Sequence, residues 1–393
     1  IYPNFNTYKN VMKKINSSDK PLIVLGQGAV DSWEMVRDFA IKSNIPVTST
    51  IHGCGIFDEH HDLSLRWCGM HGSAVANYAL QEADCIIALG SRFDDRTTGL
   101  LSKYAPNARE NNAIIHVNIN EDEINKVLNT NYNFNMDCYD FLKSIQDYIT
   151  YNDRIEWINQ ISKWKDDYKF RFPKKSEDKL NMEYVLDSIY RNTLDKDAIF
   201  TTGVGNHQMQ AYQFIKSQYP KKILSSGSLG VMGVGLPYSI GTQIANPEKL
   251  VMCIDGDSSF NMTMSDLKTI KEYNLPIKIA IMNNNAQMMV TIWERLYFDE
   301  RYTATINNSN PDYCNLAESF GIKSLKCDSY DNLENCVNEF INYNGAILCE
   351  FNIERDICLP LVGPGKALDD MILPEEYNYD SSKNLNMEGM APS

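Results

Sequence analysis

The stretch that most constrains the fold is residues 251–293. Two apolar runs, 251–254 and 277–282, pass directly into short polar residues: Gly256-Asp257-Ser258-Ser259 after the first, Asn283-Asn284-Asn285 after the second. Short apolar runs bounded by turn residues read as buried strands of a parallel sheet. Between them Met262, Leu267, Ile270 and Tyr273 recur at helical spacing, which predicts strand, turn, helix, strand. Ligands of such units gather beyond the carboxyl ends of the strands, so Asp257 and Asn284 are expected side by side at two neighbouring strand ends. A carboxylate and an amide oxygen beside a helix N-terminus suit a hard divalent cation, Mg²⁺, bridging to a diphosphate. Gly256, Ser258 and Ser259 are small enough for the backbone to approach such a ligand. Taken singly, Asp257 reads as a helix cap and Asn284 as an Asx-turn; taken as a pair they point to a metal.

With 393 residues the chain is long enough for two domains with cores of their own. Its net charge of −14 argues against a nucleic-acid surface, which needs a basic face. No apolar run approaches the roughly 20 residues of a membrane span. The ten cysteines include no Cys-x-x-Cys pair, so neither a zinc ribbon nor a disulfide framework is indicated. The expectation is a soluble protein of a reducing compartment: cytoplasm in a bacterium, plastid or mitochondrion in a eukaryote. The six histidines show no helical i, i+4 metal pair. The chain starts at Ile1, which reads as a fragment or a processed product.

The fold class expected is α/β, with two doubly wound parallel-sheet domains. Residues 1–150 form the first, opening on a polar leading segment. The strand 21–25 runs into Gly26-Gln27-Gly28 and a helix with Trp33, Val36, Phe39 and Ala40 on one face. Further strands are read at 45–49, 85–89 and 114–119. Ligand candidates follow the strand ends: Gly26 and Gly28, Thr50 and Ile51, and the run from Gly90 to Arg96; Met70 and His71 lie in a Gly-Met-His-Gly loop. No NAD fingerprint is present, because no third glycine and no suitably spaced acid follow Gly28. Residues 151–180 read as an inter-domain helix and linker, 181–368 as the second domain, and 369–393 as an acidic, Asn-rich tail expected to be partly disordered. In the second domain Gly205-Asn206-His207 follows the strand 198–202, a turn able to present N–H groups and an imidazole to an anion. Gly227, Gly230, Gly233 and Gly235 crowd the segment 225–237 around Met232, implying close backbone approach to a ligand or another helix.

Together these motifs resemble the thiamine-diphosphate enzyme signature, a Gly-Asp turn followed by Asn-Asn. The run Gln287-Met288-Met289-Val290-Thr291-Ile292-Trp293 resembles the acetolactate synthase (acetohydroxyacid synthase) catalytic subunit, and speaks against sister thiamine enzymes. Retention of both Asp257 and Asn284 speaks against a non-catalytic relative. The resemblance runs from about residue 21 to about residue 368 and implies three cofactors: thiamine diphosphate, Mg²⁺ and FAD. It implies Mg²⁺ on Asp257, Asn284 and the Ala286 carbonyl. It implies thiamine diphosphate on Gly205, Asn206, His207, Gly230, Met232, Gly256, Ser258, Ser259, Gln287 and Met289. FAD, without a redox role, would lie on Gly26, Gly28, Thr50, Ile51, Met70, His71, Gly90, Arg92, Asp94, Arg96 and Asp137. Two positions depart from the family: Asn118 replaces an acid, and Asn206 replaces a longer Gln. Met232 would prop the cofactor in a bent form, Trp293 would line the second-substrate pocket, and Arg96 would face a ketoacid carboxylate. The implied reaction joins pyruvate to pyruvate or 2-ketobutyrate with loss of CO₂, the first common step of branched-chain amino-acid synthesis. The implied assembly is a homodimer or tetramer, with a separate regulatory subunit. Family members also carry an N-terminal domain whose glutamate acts on the cofactor across a dimer interface. No counterpart is read in these residues, so they are expected to hold the diphosphate half alone.

Overall fold

The computed structural model describes residues 5–374. After a leading helix, Phe5–Asn16, the chain builds its first sheet from β1 (Pro21–Leu25), β2 (Val47–Ser49), β3 (Ser64–Trp67), β4 (Cys85–Leu89), β5 (Ile114–Asn118) and β6 (Tyr132–Asn135). All pairings are parallel. The order β3-β2-β1-β4-β5-β6 reverses direction between β1 and β4, and ligands bind at such a reversal. Both faces are covered by apolar clusters, one around Ile23, Val36, Phe39 and Val117 and one around Val24, Ala76, Ala88 and Trp157. Burial on both faces explains why β1 and β4 are continuously apolar rather than alternating.

The second sheet contains β7 (Ile199–Thr202), β8 (Ile223–Leu224), β9 (Val251–Gly256), β10 (Lys278–Asn283), β11 (Lys323–Cys327) and β12 (Ile347–Asn352). It is parallel throughout, in the order β11-β12-β10-β9-β7-β8, with its reversal between β7 and β9. The two reversals place the Gly26 and Gly90 turns together in one domain and the Gly205 and Asp257 turns together in the other.

Differences from the sequence reading have local causes. Between β9 and β10 a short turn, Asp257–Phe260, precedes the helix Leu267–Glu272. Leu267 and Ile270 are buried there, whereas Met262 and Tyr273 are exposed, so two of the four periodic residues face solvent. The glycine turn after β1 continues as a 3₁₀ stretch, Gln27–Ser32, before the helix Trp33–Ser43. The helix Ile155–Asp167, read as inter-domain, packs Trp157 and Ile161 into the first domain. At the other end, β13 (Leu361–Val362) pairs antiparallel with β14 (Met371–Ile372). These residues bring Val362, Leu368, Met371 and Leu373 into the same first-domain cluster. The start of the expected tail is therefore a strand; its remainder lies outside the described residues.

Arg66, at φ 66 in β3, ties the domains together. Its Nη2 donates to the carbonyls of Tyr212 at 2.8 Å and Gln213 at 3.3 Å, at the C-terminal end of the helix Asn206–Phe214. Its Nε lies 3.3 Å from Glu59 Oε1, an ion pair whose two groups are almost fully buried. Glu59 Oε2 in turn accepts from the Ser217 N–H at 2.6 Å. A cation at a helix C-terminus is favourably placed against the helix dipole; the opposite end of this helix is the candidate diphosphate turn.

Candidate functional site

Gly256 of β9 lies opposite Met282 of β10, so Asp257 and Asn284 leave adjacent strands at nearly the same level. Both are buried, and both line one narrow cleft of about 60 Å³. Gly205, Asn206, His207, Met232, Gly256, Ser258, Ser259, Ala286, Gln287 and Met289 line the same cleft. Asp257 Oδ2 accepts from Asn307 Nδ2 and from Asn310 Nδ2, each at 2.7 Å. Burial pushes the Asp257 carboxyl above its ordinary range, and these amide bonds oppose the rise. Asn284 makes the Asx-turn as well, its Oδ1 accepting from the Ala286 N–H at 3.0 Å. Arg355 braces this loop, with Nε donating to the Asn284 carbonyl at 2.9 Å.

The opposite wall is the N-terminus of the helix Asn206–Phe214, entered through Gly205 at φ 145. His207 is buried; its Nε2 lies 3.3 Å from Asp255 Oδ1 but lacks hydrogen-bond geometry and has no other side-chain or backbone partner. Asn206 Nδ2 donates to the Asp356 carbonyl at 3.2 Å, while its buried Oδ1 has no partner. Buried polar atoms are rarely left unmatched, and these lie at a helix N-terminus suited to an anion. Among the described residues no three His, Cys, Asp or Glu side chains converge to hold a metal. A cation here would rest on one carboxylate, neutral oxygens and the ligand's own phosphate oxygens, which is how Mg²⁺ is commonly held. The residues present fit a magnesium-bridged diphosphate.

Val204, Gly205 and Met289 also line a second, larger cavity of about 660 Å³. It opens at the β1/β4 reversal, where Gly26, Gly28, Thr50, Ile51, Met70, His71, Gly90, Arg92, Asp94, Arg96 and Asn118 meet Gly227, Ser228 and Gly230 of the second domain. A Cβ on Gly26 would come within 2.2 Å of the Gly90 carbonyl oxygen, so the two turns touch only because both are glycine. Arg92 Nη2 donates to Ser228 Oγ at 3.2 Å, across the domain boundary. Several hundred Å³ of mixed apolar and polar lining is the size of a cofactor site, and the backbone turns at the reversal suit a dinucleotide such as FAD.

The predicted residues differ in what already holds them. Asp94 caps the turn Asp95–Thr98, accepting from the Thr97 N–H and hydroxyl at 3.2 and 3.1 Å. His71 is fully buried, its Nδ1 3.1 and 3.2 Å from the carbonyl oxygens of Cys358 and Pro360, and burial pushes its pKa down to about 4. Asp137 lies apart from both cavities and caps the helix Cys138–Ile145. Trp293 lines neither cavity; it packs in an apolar cluster with Met70 and Leu359, its ring 5.7 Å from that of Tyr297. Arg96 reaches the larger cavity with an exposed guanidinium 3.3 Å from Asp95.

The sequence reading assigned no role to Asn307, Arg355, Asp356 or Glu183. Glu183 Oε1 accepts from Gln210 Nε2 at 2.8 Å, and its other oxygen is buried without a partner. Burial and the nearby Asp356 push Glu183 up to about 8, and burial raises Asp356 to about 6. Asn310, three residues before the helix Tyr313–Ser319, was given no role either. None of these residues sits in a motif, and the signal that unites them is spatial.

Comparison with known proteins agrees with this geometry. Residues 8–145 match the family model described as the thiamine pyrophosphate enzyme central domain, and residues 203–351 match the C-terminal TPP binding domain. The chain belongs to the thiamine pyrophosphate enzyme family. Within it, the chain is 39% identical over 371 residues to the mitochondrial acetolactate synthase catalytic subunit of Saccharomyces cerevisiae, covering 91% of this chain and 54% of that protein. It is 39% identical over 370 residues to the acetolactate synthase large subunit of Porphyra purpurea, covering 92% and 61%. To the acetolactate synthase isozyme 2 large subunit of Escherichia coli it is 34% identical over 366 residues, covering 90% and 64%. The chain thus spans between about half and two thirds of the length of these curated relatives. Among the described residues no helix is long and apolar enough to cross a membrane.

Proposed function

We propose that the chain forms the cofactor-holding part of an acetolactate synthase. The reaction is condensation of pyruvate with pyruvate or 2-ketobutyrate, with loss of CO₂. The observation that carries this reading is the placement of Asp257 and Asn284 at adjacent strand ends, facing the unmatched His207 and Asn206 across one cleft. Thiamine diphosphate, when bound, supplies the electron sink for decarboxylating a 2-ketoacid and joining the remainder to a second one. The protein's own contribution is to bind and orient. Asp257, Asn284 and the Ala286 carbonyl hold Mg²⁺, and the N-terminus of the helix Asn206–Phe214 receives the diphosphate. Met232 supports the bound cofactor from the glycine-rich segment, and Ser258, Ser259, Gln287 and Met289 close around it. Arg96 offers a guanidinium to a ketoacid carboxylate, and Trp293 forms a wall of the second-substrate pocket beside Met70. FAD is assigned to the larger cavity.

The proton-moving carboxylate is assigned to a domain other than these two, so residues 1–393 alone are expected to bind cofactor without turnover. The assembly proposed is a homodimer or tetramer, with a separate regulatory subunit. Product identification tests the reaction: the protein as encoded, given pyruvate, 2-ketobutyrate, Mg²⁺, thiamine diphosphate and FAD, should form 2-acetolactate and 2-aceto-2-hydroxybutyrate. Other products would overturn the assignment, and turnover by residues 1–393 alone would overturn the division of the site.

A further inference from the structure

The segment between the helix Met288–Tyr297 and the helix Tyr313–Ser319 folds back over the metal loop. Ala286 bridges to Ile306, the Gln287 N–H donates to the Thr305 carbonyl at 2.8 Å, and the Asn307 N–H donates to the Asn285 carbonyl at 2.9 Å. The segment is also anchored to the helix that bears Trp293. Glu294 accepts from the Thr303 N–H at 2.9 Å and from the Thr305 hydroxyl at 2.6 Å. Two side chains then reach from it to the metal carboxylate. Asn307 Nδ2 is 2.7 Å from Asp257 Oδ2 and 2.6 Å from Ser258 Oγ. Asn310 Nδ2 is 2.7 Å from the same Asp257 oxygen and 2.9 Å from Asn285 Oδ1.

Two features of this arrangement go beyond packing. Both amides converge on a single oxygen of Asp257, which fixes the carboxylate plane and leaves Oδ1 as the oxygen without a side-chain donor. Both donors are neutral. A lysine or arginine in their place would hold the carboxylate equally well but would compensate the charge that a cation needs. Amides orient the group and leave its charge available.

Resting on the magnesium–diphosphate reading above, we propose that Asn307 and Asn310 are positioning residues for the metal. They occupy Asp257 Oδ2 so that the carboxylate meets the cation through Oδ1 alone, and they lock the segment from the Trp293 helix onto the metal loop. A lost outer-shell partner of this kind typically costs 10–100-fold in metal affinity.

The test is the Mg²⁺ dependence of thiamine diphosphate binding, read by calorimetry, for the wild-type chain, Asn307→Ala, Asn310→Ala and Asn261→Ala. Asn261 Nδ2 donates to Asn310 Oδ1 at 3.0 Å, and the Asn261 bond to Asp257 runs from its backbone N–H to the Asp257 carbonyl at 3.0 Å, which alanine keeps, so it controls for loss of local packing. The expected result is that Asn307→Ala and Asn310→Ala each need about 10–100-fold more Mg²⁺ for half-saturation. Asn261→Ala should follow the wild type, and all melting temperatures without Mg²⁺ should be similar. If Asn310→Ala fails to fold, Asn307→Ala carries the test, because Asn307 lies further from the helix Tyr313–Ser319 and its Asp312 cap. Wild-type Mg²⁺ dependence in the Asn307 and Asn310 variants would overturn the inference while leaving the metal reading intact. So would an equal shift in Asn261→Ala. A wild-type chain with no Mg²⁺-dependent binding would overturn the metal reading and this inference with it.

Discussion

Single residues in this cleft carry charge that the fold does not favour. Asp257 is pushed above its ordinary range by burial, so its charged form is a cost to the apo protein that a bound cation would relieve. Beside the cleft, Glu183 and Asp356 are two more buried carboxyls: burial raises both, and the nearby Asp356 raises Glu183 further. The native state holds their protons where the unfolded chain has released them, so their protonated forms contribute stability below the ordinary Glu range. That stability is lost as pH rises through about 6 for Asp356 and about 8 for Glu183. Glu183→Gln keeps the bond to Gln210 and removes the charge. It should match the wild type near pH 5 and melt several degrees higher at pH 8, at roughly 2–4 °C per kcal/mol for a domain of this size. Melting curves across that range check it, and parallel curves for the two proteins would contradict the pairing.

At the scale of elements, the sequence was most legible where burial is complete. The strands β1, β4, β5, β9 and β10 are apolar runs buried on both faces, and each was visible as such. β3, β6, β8 and β11 were not, because they are short or half-exposed edge and near-edge strands whose identity comes from their neighbours. The helical face at Met262 and Tyr273 misled for a related reason: apolar periodicity marks a helix, but only contact decides which turns of it are covered. The candidate site divided similarly. The glycine turns, Asp257 and Asn284 stood out because short polar residues interrupt apolar runs; Asn307, Arg355 and Glu183 come from distant segments that only folding assembles.

The same scale holds a prediction for the link between domains. Arg66→Ala would strand a buried Glu59 and remove the donor to the carbonyls of Tyr212 and Gln213. Breaking a buried pair from one side typically costs about 3–5 kcal/mol. Denaturant unfolding should show a loss of that order, with less coupling loss in the Glu59→Gln, Arg66→Met double variant. A loss below about 1 kcal/mol, the range of exposed pairs, would mean that this contact does not join the domains.

For the whole molecule, the two cavities share Val204, Gly205 and Met289, and the larger one draws its walls from both domains. A ligand in it should therefore stiffen the boundary. Arg92→Ala removes both a cavity wall and the contact to Ser228, and FAD binding, followed by flavin fluorescence, should weaken by about 10-fold or more. Unchanged affinity would place the flavin elsewhere. The central claim is narrower: a magnesium-bridged diphosphate is held between Asp257 with Asn284 and the N-terminus of the helix Asn206–Phe214. Its most direct test is calorimetric titration of thiamine diphosphate, with and without Mg²⁺, into the wild-type chain and Asp257→Asn. The account predicts binding to the wild type only when Mg²⁺ is present, and binding at least 100-fold weaker, on the order of 3 kcal/mol, in a folded Asp257→Asn. Equal binding by the two proteins, or binding indifferent to Mg²⁺, would contradict it.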